Sequence, residues 1–323
     1  MADAEEGAEA AVSKATFDQG LMRWREERKV TKRDRIGMGW RPELAAGIVE
    51  NLDKIDVIEV IADDFFGARK SKLEGLRFLA EQAQVVLHGV GMGLASAALV
   101  EERRLAQMAK LVERVRPEGW SEHLAFVRGG GVEIGHLAAP PRTAATVEGA
   151  ARNIRRAREV VGTAPEVENI ATLVEPPGDW PEWEWVHRTI AASGAGLLLD
   201  LHNLYANAMN HGYDAVAALR AIPAECFETI HIAGGKLIPA TDGRDRLLDD
   251  HLHDVPDPVY ALLEAATSRA MRPLTVILER DGRYPAMGEL LEQIAAARAA
   301  VRRGRARAEM LGESTSRMGE VAA

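Results

Sequence analysis

A chain of 323 residues with 47% hydrophobic and 28% charged side chains has the composition of a globular protein with a sizeable core. Its net charge of −9 argues against a protein that wraps nucleic acid or sits on an anionic membrane, though a small basic groove stays open to it, and the single Cys226 excludes an internal disulfide and any cysteine-rich metal site. No stretch reaches the roughly 18–20 apolar residues that a membrane helix needs, and the acidic start MADAEEGAEAA is not a signal peptide, so the expected compartment is the cytoplasm.

Residues 1–34 read as a solvated tail and lead-in. Apolar, β-branched runs then alternate with segments of helical period, which is the pattern of βα units on a parallel sheet. Strands are expected at RIGMGW (35–40), VIEVIA (57–62), VVLHGV (85–90), GWSEHLAF (119–126), PEVENI (165–170), GLLLDLHN (196–203), TIHIAG (229–234) and LTVILER (274–280). Helical patterns lie between them, and PDPVYALLEAATSRA is a helix start with Asp257 as N-cap and Pro258 in the first turn. No glycine-rich phosphate loop follows the first strand, so the pattern predicts a single-domain TIM (β/α)8 barrel over 35–302 rather than a doubly wound sheet. After about Ala300 the apolar period is lost, and 303–323 reads as a disordered C-terminal tail.

In such a barrel, chemistry sits at the C-terminal ends of the strands. Those ends carry Glu59 with Asp63 and Asp64, His88, Glu122 with His123, Glu168 with Asn169, Asp200 with His202 and Asn203, His231, and Glu279 with Asp281. The segment after the seventh strand, read as a loop, adds Asp249, Asp250, His251, His253 and Asp254. Seven of the nine histidines fall in these motifs, leaving only His136 and His187 elsewhere. So many carboxylates at one mouth repel one another unless cations are bound, and imidazole mixed with carboxylate suits zinc, iron, manganese or cobalt. The number of candidates exceeds one coordination shell, so bridged metals are expected, with a carboxylate such as Glu122 spanning a pair. Each residue taken alone has a plainer reading. His88 fits a hydrogen-bonded core histidine, His123 can orient Glu122 or face substrate, and His211 can hold a loop. One of His251 and His253 can coordinate while the other meets substrate. GVGMG (89–93) reads as close backbone packing, and the tryptophans of GDWPEWEW (178–185) as helix packing or an aromatic lip for a peptide.

The ordered set GMGWRPEL, IEVIADDFFG, LHGVGMGL, SEHLAF, VENI, LLLDLHNLYANAMNHG, IHIAGG, DDHLHDVPDPV and ILERDG resembles the multinuclear non-heme iron-dependent oxidative enzymes, whose members include the methanobactin-biosynthesis oxidase. The resemblance implies a TIM barrel with two or three irons at its mouth and dioxygen-dependent chemistry on side chains, often cysteine, of ribosomally made peptides. It implies a ligand set drawn from His88, Glu122, Asn169, Asp200, His202, His231, Asp249, His251 and Glu279, with Glu168 as a further ligand or neighbour. Asp200, His231, His123 and His253 become the catalytic candidates. It also implies a precursor-peptide substrate and a separate peptide-recognition partner protein. One departure stands out: many members have Glu-Val-His-x-Glu-Asn in the second-strand motif, and this chain has Glu59-Val60-Ile61-Ala62-Asp63-Asp64. Isoleucine cannot ligate, which favours two irons over three unless Asp63 or Asp64 supplies the position. Two other functions share the pattern: a manganese or zinc barrel of the sugar isomerase/epimerase or phosphodiesterase kind, and a non-catalytic metal-binding scaffold.

Overall fold

The computed structural model describes residues 31–240 and 243–321, with side chains as far as residue 311. Of the tail and lead-in expected at 1–34, residues 1–30 lie outside the described residues, as do the last two residues of the chain. Twelve strands follow in chain order: β1 (Arg35–Gly39), β2 (Ile58–Ile61), β3 (Val85–Gly89), β4 (Trp120–His123), β5 (Phe126–Gly129), β6 (Val132–Ala138), β7 (Glu166–Glu168), β8 (Gly196–Asp200), β9 (Thr229–Ile232), β10 (Gly234–Ile238), β11 (Arg246–His253) and β12 (Thr275–Leu278). Eight of them, β1-β2-β3-β4-β7-β8-β9-β12, pair in parallel and close on themselves when β12 meets β1. This is the TIM barrel that the βα alternation predicts.

Strand alternation decides what each wall residue faces. Ile36, Met38, Ile58, Val60, Val85, Leu87, Trp120, Val167, Leu197, Leu199, Ile230, Ile232, Val276 and Leu278 belong to one continuous apolar core with the surrounding helices. Their neighbours in the pleat therefore face the barrel axis. Toward the floor these are Val57, Val86 and Ile277, which form a small cluster of their own. One step higher they are Glu59, His88, His123, Glu168, Asp200, His231 and, just past β12, Glu279. A period-2 pattern in the sequence thus turns one end of the interior polar.

The helices that cover the wall are α1 (Ala45–Glu50), α2 (Lys70–Gln82), α3 (Glu102–Val115), α4 (Ala144–Val161), α5 (Glu182–Ser193), α6 (Leu201–His211), α7 (Ala215–Ala221), α8 (Asp257–Arg269) and α9 (Met287–Val321). α3 buries Leu105, Met108, Leu111 and Val115, one face of a helix at three- and four-residue spacing. α4 starts on a reciprocal capping box between Thr143 and Thr146 and stops at Gly162, whose φ of 94° is open to glycine.

Four features differ from the sequence expectations. β8 ends at Asp200 rather than at 203, because Asp200 caps α6 directly, accepting a hydrogen bond from Asn203 N at 2.6 Å. The DDHLHD segment is strand, not loop: β11 pairs antiparallel with β10. α8 begins at Asp257 itself, after Pro256. The segment 303–323, expected as a disordered tail, is helical to Val321. Two of its arginines are paired: Arg303 Nε donates to Glu264 Oε2 at 2.6 Å, and Arg305 Nε and Nη2 donate to Asp34 at 3.0 and 2.8 Å. Gly304 is the close contact with α8, since a Cβ there would stand 2.6 Å from Glu264 O.

Candidate metal centre

Two groups of side chains converge at the polar end of the interior. His88, His123 and Glu168 bring one ligand atom each within 4.8 Å of one another, and so do Glu168, Asp200, His231 and Glu279. Glu168 belongs to both. Its Oε2 is 3.4 Å from His88 Nε2 and 3.6 Å from His123 Nε2, while its Oε1 is 3.4 Å from His231 Nδ1. Glu279 Oε2 lies 3.0 Å from the same His231 nitrogen. Beside these, Asp249 Oδ1 sits 2.9 Å from His202 Nδ1 and 2.8 Å from His251 Nε2, and His251 Nδ1 reaches to 3.6 Å from Glu279 Oε2.

Local chain chemistry holds these groups. Ser121 Oγ lies 2.8 Å from His88 Nδ1, which leaves Nε2 to face Glu168. Asn169 uses both ends of its amide on the backbone of Asp200: Oδ1 accepts from its N–H at 2.9 Å and Nδ2 donates to its carbonyl at 3.0 Å. Asp200 in turn commits Oδ1 to the α6 cap, so its other oxygen faces the interior at the positive end of that helix. On β11, His251 adopts a φ of 51°, a left-handed conformation unusual for a non-glycine residue. It stands where the β10–β11 register shifts, a bulge that turns the ring toward Asp249 and Glu279. Across from it Gly235 has no room for a side chain, because a Cβ would fall 2.3 Å from Leu248 O and 2.6 Å from the His202 ring.

A bound cation would relieve the electrostatics of this cluster. Glu59, Glu168, Asp200 and His231 are each at most 1% exposed. Glu59 Oε1, His123 Nδ1, Glu168 Oε2, Asp200 Oδ2, His202 Nε2, His231 Nδ1 and His251 Nε2 are buried without a hydrogen bond. Leaving a buried polar atom unsatisfied costs about 1–3 kcal/mol. His231 Nδ1 and His251 Nε2 approach carboxylates closely yet out of hydrogen-bond alignment, the arrangement of ligand atoms aimed at a common centre. Without an ion, protons must supply the positive charge. Burial works against charging His123, but Glu168 and Glu122 outweigh it and push the imidazole up to about 9. Burial likewise opposes His231, and Glu279, Glu59 and Glu168 hold it well above the ordinary histidine range. Asp200 is raised well above the carboxylate range by burial and then by Glu168, Asp249 and Glu279. The donors are oxygen and imidazole nitrogen only; Cys226 is buried in the turn that leads into the opposite end of β9. The residues fit a cluster of borderline or hard divalent ions.

Some expected residues are placed elsewhere. Glu122, expected to bridge, points to the outer face: Oε2 accepts from Met92 N at 3.2 Å and Oε1 from His123 N at 3.0 Å. Glu168 is the residue common to both convergent groups. GVGMG is the close packing expected, since a Cβ on Gly89 would stand 2.5 Å from Glu122 Oε2. Asp63 holds that turn through Val90 N at 2.9 Å, and neither Asp63 nor Asp64 joins the convergent groups among the described residues. His253 is partly exposed on the rim, between Asp250 Oδ1 at 2.9 Å and Arg283 Nη1 at 3.3 Å. His211 closes α6 onto Thr172 Oγ1 at 2.8 Å. Trp183 and Trp185 are buried in packing, and no aromatic lip forms from them. Ser121 and Gly235 are contributors that the sequence pattern did not mark, and Glu59, expected at the barrel mouth, was not among the expected ligands or catalytic residues. The alternation Val57-Glu59-Ile61 was the available signal for Glu59.

Comparison with known proteins agrees with this architecture. The family of RiPP precursor modification enzymes MbnB/TglH/ChrH matches residues 35–302, and the chain belongs to it. A UPF0276 protein of Rhizorhabdus wittichii is 36% identical over 244 residues, covering 76% of this chain and 86% of its own length. Another from Streptomyces avermitilis is 36% identical over 282 residues, 84% of this chain and 56% of the relative. Among solved structures, a D-psicose 3-epimerase from Clostridium cellulolyticum H10 superposes with a TM-score of 0.52 at 11% identity, over 85% of this chain and 99% of that one, a likeness of fold. Among the described residues no helix is long and apolar enough to cross a membrane.

Proposed function

We propose that the protein is an iron- and dioxygen-dependent enzyme that oxidises a side chain, with cysteine the first candidate, in a ribosomally made precursor peptide. The observation that carries this reading is Glu168, which stands between two buried sets of nitrogen and oxygen ligands with one oxygen toward each. Membership of a family that modifies such precursors supplies the peptide. Two irons fit the two convergent groups, and His202, Asp249 and His251 are the residues that would hold a third. Iron bound here would supply the open coordination positions and the electrons that dioxygen chemistry needs.

The chain's own part is positioning. Asp200 presents a fixed oxygen because its partner oxygen is tied to the α6 cap, and Asn169 holds the strand end that carries it. His88 and His231 are each oriented by a second contact on the far side of the ring. At the mouth Arg41 donates to Asp281 through Nε at 3.0 Å and through Nη2, and Asp281 lies 3.3 Å from His251 Nδ1, closing one side of the opening. His253, held on the rim between Asp250 and Arg283, is the histidine that would exchange a proton with a bound peptide at Nε2 once the Arg283 contact opens. Work in the cytoplasm with a separate protein that presents the peptide completes the proposal.

The test is to load anaerobically purified protein with ferrous iron, add a cysteine-bearing precursor peptide and admit oxygen. A peptide mass change that needs both iron and oxygen is expected. A change that proceeds without oxygen, or equally with zinc, contradicts the reading.

A further inference from the structure

Glu59 Oε2 lies 2.9 Å from His231 Nε2, a contact between two side chains 1% and 0% exposed and 172 positions apart in sequence. β2 and β9 are not neighbours in the wall, so the two side chains meet across the interior. The glycines of GMG make that reach feasible. Gly39 is in register with Glu59, and β1 runs beside β12 with Met38 opposite Leu278, so Glu59, Gly39 and Glu279 lie in one row. With no side chain on the middle strand, Glu59 and Glu279 converge on one imidazole: Glu59 at Nε2, Glu279 at Nδ1.

We infer that Glu59 is a positioning residue that keeps the proton of His231 on Nε2, so that the Nδ1 lone pair faces Glu168, Asp200 and Glu279. An imidazole offers one nitrogen to a ligand only when the other carries the hydrogen, and a buried carboxylate as acceptor fixes which is which. The geometry matches in two ways. The Nε2 contact to Glu59 is aligned as a hydrogen bond, whereas Nδ1, at 3.0 Å from Glu279, is not. Nδ1 is also the nitrogen that adjoins the Glu168 and Glu279 carboxylates, while Nε2 points away from them. The inference rests on the metal-centre reading above and adds the residue that sets the donor atom.

The experiment compares wild type with Glu59→Gln and Glu59→Leu, using zinc titration by calorimetry, zinc stoichiometry by elemental analysis, and the ring-nitrogen NMR shifts of His231 in nitrogen-15-labelled zinc-loaded protein. Wild type and Glu59→Gln, which retains an acceptor, should both show a protonated Nε2 and a metal-shifted Nδ1. Glu59→Leu should lose that signature and about 10–100-fold in zinc affinity at the site that His231 serves. If Glu59→Leu keeps the wild-type signature and affinity, or if Glu59→Gln loses a whole equivalent of zinc as a lost ligand would, the inference is overturned. The Gln variant is nearly isosteric, so the second outcome can be read even if Glu59→Leu fails to fold. Wild-type protein that takes up no zinc and no ferrous iron overturns the metal centre itself, a failure distinct from the two above.

Discussion

Glu168 Oε2 stands 3.4 Å from His88 Nε2 and accepts no hydrogen bond, although both side chains are buried. The pair makes sense as two ligands waiting on one ion, and it separates the metal-free from the metal-bound protein in what Glu168 does. In the metal-free protein Glu168→Gln relieves repulsion with Asp200 and Glu59 but also removes the carboxylate that supports charged His123 and His231, so the two effects offset and metal-free stability should change by less than about 1 kcal/mol. The same substitution should abolish turnover and lower the bound metal by more than one equivalent. Thermal melts with and without metal check the difference; a variant whose melting point shifts equally in both states speaks against a bridging carboxylate.

The metal-free protein should lose stability as pH rises. His123 is pushed up to about 9 in the folded chain, so its contribution is present in full below the unfolded histidine pKa of about 6.5 and is lost as pH climbs through 9. Asp200 and Glu59, raised first by burial, act in the same direction. Asp249 and Glu279 act oppositely. Burial would raise both, but His251 and His202 depress Asp249, and His231 and His251 depress Glu279, so their contribution is lost on the acid side. Metal binding needs the ligands deprotonated, so zinc affinity should rise across the window in which metal-free stability falls. Denaturant titrations and calorimetry at pH 6.5, 8 and 9 test the pair of trends. A flat stability profile with pH-independent affinity would contradict it.

Asp200 has two separable tasks. Asp200→Asn keeps an oxygen for the α6 cap and loses the charge, so stability should stay within about 0.5 kcal/mol while metal content and turnover fall. Asp200→Ala should lose the cap as well, at about 1 kcal/mol. Equal melting points for the two variants would show that the cap does not matter to the fold.

Gly235→Ala places a methyl group 2.3 Å from a backbone carbonyl and 2.6 Å from the His202 ring. The β10–β11 hairpin must shift, costing about 1–3 kcal/mol. Metal held by His202, Asp249 and His251 should be lost first, while the His88, His123 and Glu168 group is retained. His253→Ala should do the reverse of a ligand substitution, slowing turnover with metal content unchanged, because His253 lies on the rim against Asp250 and Arg283.

The barrel was legible because parallel strands buried on both faces read as short apolar runs, and because polar residues at their ends broke those runs in one consistent place. Asp200 and His231 were visible for this reason. The two hairpins were not. β6 is exposed along most of its length, so it has no apolar run to mark it. In β11 the bulge at His251 resets the pleat and erases the alternation that would have marked DDHLHD as strand. The same period explains Glu122 and His123: neighbours in a strand must face opposite ways, but only the packing of Trp120 into the outer core tells which faces in. Helical structure past 303 was missed because Arg303 and Arg305 find carboxylates elsewhere in the chain, which composition cannot show.

The central claim is an iron cluster held at the polar end of the barrel. It is tested most directly by metal analysis and Mössbauer spectroscopy of protein purified without oxygen from cells grown on iron-57. The account predicts two or more irons per chain with a coupled signal that changes when oxygen is admitted. Stoichiometric zinc or manganese with no iron would contradict it and point to a hydrolytic or isomerising barrel instead.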